Sequence, residues 1–406
     1  MRLRILTFTS LFPNSIDREH GIFVYQRVTH LAARSGNLLE VIAPVPYFPK
    51  WLPTSRWKTA SNLPASERLG DLIVHHPRYF LLPKVSMPLH GLLMYWGTLP
   101  LVRNLHAAAR FDCIDAHYVY PDGFAAVLLG KALNLPVMVT ARGTDINVYP
   151  SFRMIRPMIR WTLRNALICA AVSSALKEKM AQVGDVSIPI HVIPNGVDAR
   201  RFQPVDPNEA RRLLGIEHQG PVVVAVGSLI EQKGHQLLVR AIELISGRHP
   251  NVHLYILGHG PYLKTLERLI ETLGLNGRVH LAGKRPNEEL KLWFSMATMS
   301  CLASSREGWP NVVSESLACG TPVIATKAGG IPEILNRPEL GILVERTPES
   351  IAAGLEEGLS RTWERNSISR HALARTWDTV AREIEELLAT RIHSVASETS
   401  REEPRT

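Results

Sequence analysis

Residues 304–335 read SSREGWPNVVSESLACGTPVIATKAGGIPEIL. The stretch begins at the end of an apolar run (298–305), starts a helical pattern near Asn311 and enters a second apolar run at 322–330. Strands that alternate with helices in this way predict βαβ units and a parallel sheet. Ligands bind such sheets outside the carboxyl ends of the strands, so the loops that follow the apolar runs are where function is expected.

The same alternation continues along the rest of the chain. Before residue 200 the apolar runs lie at 4–10, 38–44, 71–77, 113–118, 136–143, 166–173 and 190–196. After turn formers at 194–210, they resume at 221–229, 252–260 and 278–285. We therefore predict an α/β fold with two doubly wound, Rossmann-like domains. The predicted boundaries are an N-terminal domain over 1–193, a C-terminal domain over 194–370, a helix over 371–391 and a disordered polar tail over 392–406.

Composition places the chain among globular proteins. It has 406 residues, a length typical of roughly two to three domains, with 45% hydrophobic and 20% charged residues. These values exclude a disordered, collagenous or coiled-coil chain. The cysteines form no CxxC pair and lie in apolar contexts, so we predict reduced core residues of a cytoplasmic protein. They are Cys113, Cys169, Cys301 and Cys319.

No segment is predicted to cross a membrane. The first residues, MRLRILTFTSLFP, have a short apolar stretch without a cleavage site and favour a buried strand over a signal peptide. The most apolar long stretch, 85–102, is interrupted by Pro88, His90 and Pro100. Residues 44–70, rich in Pro, Trp and Ser, are predicted to be a long irregular excursion. The net charge of +9 suits an anionic partner, although it also serves solubility alone.

Two carboxylates stand out in the opening stretch. Glu307 follows a predicted strand, and Glu315 comes after seven intervening residues, inside the helix that begins near Asn311. Helical side chains lean toward the N-terminus, so both carboxylates can face one ligand. The free N–H groups of the helix start favour an anion. A carboxylate beside a diphosphate needs a hydroxyl partner, which a nucleotide ribose supplies. The alternative is a first-turn glutamate and a solvated one.

The stretch resembles family 4 of the retaining GT-B glycosyltransferases. That family has two glutamates separated by seven residues, a small-residue helix, Gly-x-Pro-Val and Gly-Gly-x-x-Glu, matched here by GTPV at 320–323 and GGIPE at 329–333. The resemblance covers about residues 3–390 and is most specific over 221–335. It implies two Rossmann-like domains that face a central cleft, with a C-terminal helix that crosses back to the N-terminal domain.

The resemblance also implies roles for the residues of this loop. Glu315 would bind the ribose hydroxyls of the donor nucleotide, and Glu307 would contact the hydroxyls of the donor sugar. Backbone N–H groups near Asn311 and Val312 would meet the diphosphate. Together these residues form the core of the implied donor site.

One departure from the family lies in the same loop. The commoner sequence is Glu-Gly-Phe-Gly, whereas here Gly308 is followed by Trp309 and Pro310. Pro310 lacks an N–H and its fixed φ suits a helix start. Trp309 either covers the donor sugar or is ordinary packing.

A second loop, in VAVGSLIEQKGHQLL (224–238), carries a lysine. Its strand ends in Gly227, and Lys233 stands at the start of the next helix, where it can reach a diphosphate as a point charge. The alternative is a solvated surface lysine. The spacing differs from a Walker A loop. The family usually has an arginine where this chain has Ser228, and candidates to replace that cation are Arg142, Arg285 and Arg306.

A third loop, ILGHGP at 256–261, follows the next strand with Gly258 and Gly260. With the segment GKRPNEEL (283–290), which contains Arg285, it would hold the nucleotide base largely through main-chain contacts, as the resemblance implies. Two glycines at this spacing are also typical of an ordinary tight turn.

The N-terminal half offers three further candidates. Gly21 opens a helix after the first strand, where the family often has Gly-Gly close to the donor phosphate and the acceptor; here the pair is His20-Gly21. His117 follows a strand and is either functional or structural. Arg142 follows the next strand, where the family commonly has a histidine near the donor sugar, and an arginine there suits a phosphate or an anionic acceptor group. The predicted catalytic set is Glu307, Lys233, Arg142 and His117.

The sequence predicts no metal and no cofactor. Asp112 and Asp115 are spaced as Asp-x-x-Asp rather than as the Asp-x-Asp of the other main glycosyltransferase fold, and no His, Cys or Glu cluster has metal-ligand spacing. GT-B enzymes usually stabilise the leaving diphosphate with cations and dipoles instead.

The predicted function is retaining transfer of a sugar from a nucleotide diphospho-sugar to a glycan or polyprenyl-linked glycan in bacterial exopolysaccharide or cell-envelope biosynthesis. Docking to the inner face of the cytoplasmic membrane is suggested by the basic charge, Trp51, Trp57 and the 85–102 stretch; the alternative is a buried helix plus a loop. Another alternative is a non-catalytic nucleotide-sugar-binding subunit. A dehydrogenase lacks its Gly-x-Gly-x-x-Gly, and scattered basic residues disfavour a nucleic-acid partner.

Overall fold

The structure is a computed structural model that describes residues 2–47, 62–81, 87–184 and 189–402, with side chains described as far as residue 394. The chain divides into two compact units. The first unit contains the chain up to Asn195 together with the chain from Trp377 onward, and the second unit runs from Gly196 to Thr376.

The first unit is built on a largely parallel sheet. Its strands are β1 (Arg4–Phe8), β2 (Leu38–Ile42), β3 (Val45–Tyr47), β4 (Ser66–Leu69), β5 (Leu72–His75), β6 (Arg78–Phe80), β7 (Cys113–His117), β8 (Val137–Ala141), β9 (Ile168–Ala171) and β10 (Ile190–Val192). The main sheet has the order β10-β9-β8-β7-β1-β2-β5-β4, and β3 pairs separately with β6. Only the β4–β5 pair of these ladders is antiparallel.

Helices connect these strands, as the alternation predicts. They are α1 (Ile22–Ala33), α2 (His90–Ala109), α3 (Phe124–Leu133), α4 (Thr144–Asn147), α5 (Arg156–Asn165), α6 (Ser174–Gly184) and, from the C-terminal end of the chain, α15 (Trp377–Glu402). The chain runs from β1 to β2 on one side and later returns to β7 on the other side of β1. The strand order therefore reverses between β1 and β7, which opens a crevice at their carboxyl ends.

The second unit repeats this design with a wholly parallel sheet. Its strands are β11 (Val222–Val226), β12 (His253–Leu257), β13 (Val279–Gly283), β14 (Met299–Leu302), β15 (Val323–Thr326) and β16 (Gly341–Val344), in the order β13-β12-β11-β14-β15-β16. Its helices are α7 (Pro207–Leu214), α8 (His235–Ile245), α9 (Leu263–Thr272), α10 (Leu290–Met296), α11 (Asn311–Ala318), α12 (Ile331–Ile334), α13 (Pro348–Ser360) and α14 (Arg365–Leu373). Here the order reverses between β11 and β14.

The C-terminal helix belongs to the first unit. Trp377 and Ile384 on α15 are buried in the same apolar cluster as Val24 and Val28 of α1. On the same helix, Glu385 accepts hydrogen bonds from side chains of the first unit. This placement agrees with the crossing helix that the family resemblance implies, and it completes a fold of two Rossmann-like units.

The structure corrects the predicted ends of this helix. Residues 365–373 form a separate helix, and α15 begins at Trp377 rather than 371. The break occurs because Val197 donates a hydrogen bond from its N–H to the carbonyl of Arg375 (3.0 Å) and forms a β-bridge with Thr376. The expected disordered tail is helical as far as Glu402. Residues 392–402 contain neither Gly nor Pro, so the helical ladder continues from the packed part.

The predicted excursion at 44–70 is also corrected, because β3 and β4 lie within it. The short β4, with the polar sequence SERL, pairs at the sheet edge and carries no apolar pattern for sequence analysis to detect. Trp51 and Trp57, which were offered for membrane docking, lie outside the described residues. All four cysteines are buried and free. Over the described ranges, no helix is long and apolar enough to cross a membrane.

Candidate functional site

The second unit brings Lys233 and Glu307 together where its strand order reverses. Lys233 lies in the loop after β11 and Glu307 in the loop after β14. The Nζ of Lys233 is 2.6 Å from Oε1 of Glu307, and the two side chains are 21% and 11% exposed. The sequence predicted a diphosphate partner for the lysine and a sugar partner for the glutamate. In the structure, each is the other's partner.

Backbone contacts hold these two loops against each other. The N–H of Ser305 donates to the carbonyl of Gln232 (2.9 Å), and the Gln232 side chain donates to the carbonyl of Arg306 (3.1 Å). Behind Glu307, Gly329 comes so close that a Cβ there would lie 2.0 Å from the Glu307 carbonyl oxygen. The Gly-Gly pair of the family motif therefore has a packing reason in this chain, because it fixes the backbone of the glutamate.

Glu315 lies on α11 without a hydrogen-bond partner for its carboxylate in the described part of the chain. Its neighbour Ser316 anchors the helix, with its hydroxyl 2.7 Å from that of Ser300 on β14. Burial raises the pKa of Glu315 to about 7, an effect that the charge of Arg201 opposes. A half-buried carboxylate with an open coordination suits a ligand that donates hydrogen bonds.

The helix that carries Glu315 begins at Asn311, as predicted. Pro310 precedes it in an extended conformation, and no side chain caps the helix. Asn311 and Val312 form its first turn, so their main-chain N–H groups lie at the positive end of the helix dipole. The start of α11 is therefore an anion-compatible position beside the Glu307 loop.

Trp309 packs rather than projecting freely. Its ring lies against the apolar cluster that contains Leu302, Val313 and Ile331. The indole Nε1 is buried and has no hydrogen-bond partner within the described ranges. These contacts support the packing alternative for Trp309. The neighbouring Gly308 accepts a hydrogen bond at its carbonyl from the N–H of Gly330 (3.1 Å).

The glycine loops pack against each other. Gly227 donates its N–H to the Leu257 carbonyl (2.9 Å), and a Cβ on Gly258 would lie 1.8 Å from the Gly227 carbonyl oxygen. Gly260 approaches the Leu229 backbone in the same way. This contact supports the tight-turn alternative, and the role of these loops toward a base stays a prediction. Ser228 accepts at its carbonyl from the His235 ring (3.3 Å).

Two of the arginines considered as replacements at Ser228 have other partners in the structure. Arg285 donates from Nε to the Ala282 carbonyl (2.9 Å), and its guanidinium lies 5.5 Å from the ring centre of Trp293. Arg306 donates to the Gln232 side chain (3.2 Å). The role of Arg142 as that cation stays a prediction.

In the first unit the structure brings His117 and Arg142 together. They lie at the carboxyl end of β7 and directly after β8. Arg142 donates from Nη2 to Nδ1 of His117 (2.8 Å) and from Nη1 to the side-chain oxygen of Asn195 (2.9 Å). The ring of Phe23 lies 5.4 Å from the guanidinium. Asp145 accepts from the main-chain N–H of Arg142 (3.1 Å) and so fixes the loop.

The contact with Arg142 determines the state of His117. A guanidinium can only donate, so Nδ1 accepts and the ring proton lies on Nε2. Burial, with the charges of Arg142 and Arg27, holds the pKa of His117 well below its usual range. His117 is therefore a neutral, buried ring whose lone pair is occupied. This arrangement supports the structural alternative over proton transfer by His117.

Sequence analysis missed the partners of this pair. Arg27 on α1 donates from Nη2 to both carboxylate oxygens of Asp115 (3.0 Å each), and both side chains are buried. Asp115 Oδ2 is 3.5 Å from His117 Nε2. The available signal was a charge on an apolar stripe, since Arg27 shares the buried face of its helix with Val24 and Leu31.

The loop after β1 is tied to this part of the sheet. Gly21 directly precedes α1, and His20 lies 2.9 Å from the Ser10 carbonyl through Nε2. Asp122 accepts a hydrogen bond from the Ser10 N–H, and burial raises its pKa to about 7. No side chain caps α3, the helix that follows Asp122. In the described part of the chain, no group of three or more His, Cys, Asp or Glu residues could hold a metal ion.

Comparison with known families gives one result for each half of the chain. Residues 206–375 match the family model for glycosyl transferases group 1. Residues 59–201 match the model for glycosyltransferase family 4. The first match contains Lys233, Glu307 and Glu315, and the second contains His117 and Arg142.

Individual proteins agree with the family matches. The chain is 27% identical over 361 residues to a Bacillus subtilis (strain 168) protein named as a teichuronic acid biosynthesis glycosyltransferase, covering 87% of this chain and 88% of that protein. It is 27% identical to a GDP-mannose-dependent α-(1-6)-phosphatidylinositol monomannoside mannosyltransferase of Mycolicibacterium smegmatis, covering 84% and 85%. Sucrose-phosphate synthase from Thermosynechococcus elongatus has a similar fold, with a TM-score of 0.78 at 20% identity over 97% of this chain and all of that one.

Proposed function

This chain belongs to the glycosyltransferases of the GT-B fold, and we propose that it transfers a sugar from a nucleotide diphospho-sugar to a glycan or lipid-linked glycan with retention of configuration. Retention comes from the family resemblance.

The Lys233–Glu307 pair is the observation that carries the proposal. It places a cation and a carboxylate 2.6 Å apart at the carboxyl ends of β11 and β14, the general ligand position of such sheets. Lys233 is suited to neutralise a leaving diphosphate, together with the N–H groups at the start of α11. Glu307 is suited to accept hydrogen bonds from sugar hydroxyls, and Glu315 to accept them from a ribose.

Donor binding then requires an exchange of partners. A diphosphate that takes Lys233 frees the Glu307 carboxylate, and the sugar hydroxyls supply its new hydrogen bonds. Without a sugar attached, a nucleotide diphosphate would leave Glu307 half-buried beside the phosphate charge. We therefore expect the Lys233–Glu307 pair to increase the binding affinity for the intact nucleotide sugar more than the affinity for the free nucleotide.

A cell-envelope acceptor at the membrane surface is the proposed context. The two relatives described above are named for teichuronic acid synthesis and for mannosyl transfer to a phosphatidylinositol monomannoside. The first unit exposes large apolar side chains, among them Tyr47, Phe80, Leu89 and Trp96. With the net charge of +9, these side chains suit an anionic lipid surface.

The direct test is to measure binding of UDP, GDP, ADP and their sugar conjugates to the full chain. The readout is the change in its thermal unfolding temperature. A ligand at 100 times its dissociation constant adds about 2.7 kcal/mol of stability. We expect one nucleotide class to stabilise the wild type but not Glu315→Ala. Product analysis with that donor then reports transfer and anomeric configuration. No stabilisation by any of these ligands would contradict the donor site.

A non-catalytic nucleotide-sugar-binding subunit is the second candidate, favoured by Ser228 in place of the family's arginine. It shares the donor-binding result and differs in the next step. Binding of a nucleotide sugar without hydrolysis or transfer, with membrane extract supplied as acceptor source, would favour this candidate over the enzyme.

A further inference from the structure

The first unit has a polar cluster at its own point of strand reversal. His117 ends β7, Arg142 follows β8, and the loop after β1 packs beside them through Ser10 and Asp122. By the general rule for open parallel sheets, this crevice is a ligand position. The charged side chains at this crevice are therefore candidates for ligand binding as well as for stabilising the fold.

Among the residues that the structure describes, this cluster contains three buried N–H donors without a hydrogen-bond partner and one such carboxylate oxygen, Oδ2 of Asp122. Nε of Arg27, Nε of Arg142 and Nε2 of His117 are all buried and lack a hydrogen-bond partner among the residues that the structure describes. The His117 nitrogen counts as a donor because its other nitrogen accepts from Arg142. Buried donors are normally paired. His117 Nε2 faces Asp115 Oδ2 at 3.5 Å, so the missing acceptor is indicated by the two arginine Nε atoms, and Arg142 is the arginine without a carboxylate partner.

Arg142 differs from Arg27 in the nature of its partners. Arg27 has a carboxylate partner, because its Nη2 donates to both oxygens of Asp115. Arg142 is 8% exposed, and its guanidinium donates to two neutral groups, the Asn195 amide and the His117 ring. Within the described ranges no carboxylate lies at ion-pair distance from that guanidinium. Asp145 is nearby, but it is engaged by main-chain N–H groups of Val119, Arg142 and Gly143.

We propose that Arg142 binds an oxyanion of the acceptor, a carboxylate or a phosphate, at this point of the first unit. Nε and the unused protons of Nη1 and Nη2 supply the hydrogen bonds in the plane of the guanidinium, while Phe23 covers its face. The identification of the anion's carrier as the acceptor rests on the proposed function; the anion site itself does not.

Arg27, Asp115 and His117 are positioning residues in this proposal. Arg27 holds Asp115, Asp115 Oδ2 lies 3.5 Å from His117 Nε2, and Nδ1 of His117 in turn accepts from Nη2 of Arg142. The side-chain oxygen of Asn195, the last residue of the unit's N-terminal segment, accepts from the other nitrogen, Nη1. The guanidinium is thus held at both ends before a ligand arrives, which lowers the ordering cost of binding.

The test compares glucuronate, glucose 6-phosphate and glucose as calorimetric ligands of the full-length chain saturated with its nucleotide. We expect one of the two anionic sugars to bind at least about tenfold more tightly than glucose, the gain of one or two charge-assisted hydrogen bonds. A preference for glucuronate identifies a carboxylate site and a preference for glucose 6-phosphate identifies a phosphate site. Equal binding of all three sugars, or no binding by either anion, would overturn the proposal.

Two variants assign the preference to Arg142. Arg142→Gln retains a hydrogen-bond donor without charge, and Asn195→Asp retains Arg142 but supplies an internal carboxylate that competes with the ligand. Both variants should lower the affinity for the preferred anionic sugar to the affinity for glucose. Retention of the preference in both variants would mean that ordered water, rather than a ligand, pairs these donors.

Nucleotide binding separates this proposal from the function on which it partly rests. The proposal assigns Arg142 to the acceptor, so it predicts that both variants bind nucleotide as the wild type does. Loss of nucleotide affinity in Arg142→Gln would instead assign Arg142 to the donor and refute the acceptor site. Absence of nucleotide binding in the wild type would contradict the proposed function, and the three-sugar comparison without nucleotide would still test the anion site.

Discussion

The two units place charged residues at equivalent points of their sheets but treat them in opposite ways. In the second unit, Lys233 and Glu307 form a single, partly exposed ion pair. In the first unit, Arg27, Asp115 and Arg142 are buried and held by a network of side chains. The fold fixes where the charges lie, whereas their burial decides whether they can exchange partners. A ligand can separate the Lys233–Glu307 pair of the second unit at small cost. In the first unit it has to fit the existing arrangement of buried charges.

The largest effect is expected from breaking the buried pair of the first unit. Arg27→Met leaves Asp115 buried without its partner, so we expect a loss of about 3–5 kcal/mol of unfolding free energy. Arg68→Met in the same unit removes an exposed pair with Asp71 and should cost less than about 1 kcal/mol. Urea unfolding of both variants measures the difference. Equal losses would mean that burial does not distinguish these ion pairs.

The second effect is on turnover in the other unit. Lys233→Ala removes the cation proposed for the leaving diphosphate and should lower kcat by roughly 10²–10³-fold, about 3 kcal/mol in the transition state. Lys327→Ala, which breaks an exposed pair with Glu345 in the same unit, serves as the matched control and should leave kcat unchanged. Steady-state kinetics with the donor found by thermal unfolding decides the matter. Wild-type turnover in Lys233→Ala would remove the lysine from the proposed chemistry.

Acid should destabilise both units through buried histidines. Burial lowers the pKa of His90 in the first unit and of His235 in the second from 6.5 to about 4. Between pH 6.5 and 4 these histidines are protonated in the unfolded chain but neutral in the folded chain. The free energy of unfolding therefore falls over this range by about 1.4 kcal/mol per pH unit for each histidine. Unfolding followed at pH 7, 6 and 5 tests this slope, which His235→Gln should reduce. A slope unaffected by that change would exclude His235 as its source.

The smallest effect is the pH dependence of donor affinity. Glu315, with a pKa of about 7 in the absence of ligand, accepts ribose hydrogen bonds best when ionised. Nucleotide affinity should therefore fall as the pH drops below 7, by no more than about tenfold per pH unit. Calorimetric titrations at pH 6 and 8 measure the change, and Glu315→Gln should abolish it. A wild-type affinity that is constant over this range would argue against a carboxylate on the ribose.

Sequence predicted the elements better than their long-range partners. The alternation of apolar runs and helical patterns located both parallel sheets, and the loops after the strands contained Lys233, Glu307, His117 and Arg142. Local sequence is sufficient to locate these elements, because the hydrophobic periodicity of a strand or a helix appears within a short run of consecutive residues. The short edge strand β4 has no such pattern, which explains its absence from the prediction.

Contacts between residues far apart in the chain could not be predicted from the local hydrophobic pattern. Lys233 and Glu307 are separated by 74 residues and Arg27 and Asp115 by 88, so their contact depends on strand order rather than on local sequence. The break before Trp377 likewise depends on a bridge between Val197 and Thr376. In each case a residue far along the chain determines the local outcome.

The C-terminal helix has a consequence for how the protein is made. Because α15 packs on α1, the core of the first unit needs residues that the ribosome adds after the whole second unit has been synthesised. The second unit is continuous in sequence, whereas α1 remains without its partner until α15 has been translated. We therefore expect the nascent chain to finish its second unit before its first, with the apolar face of α1 available to chaperones in the interval.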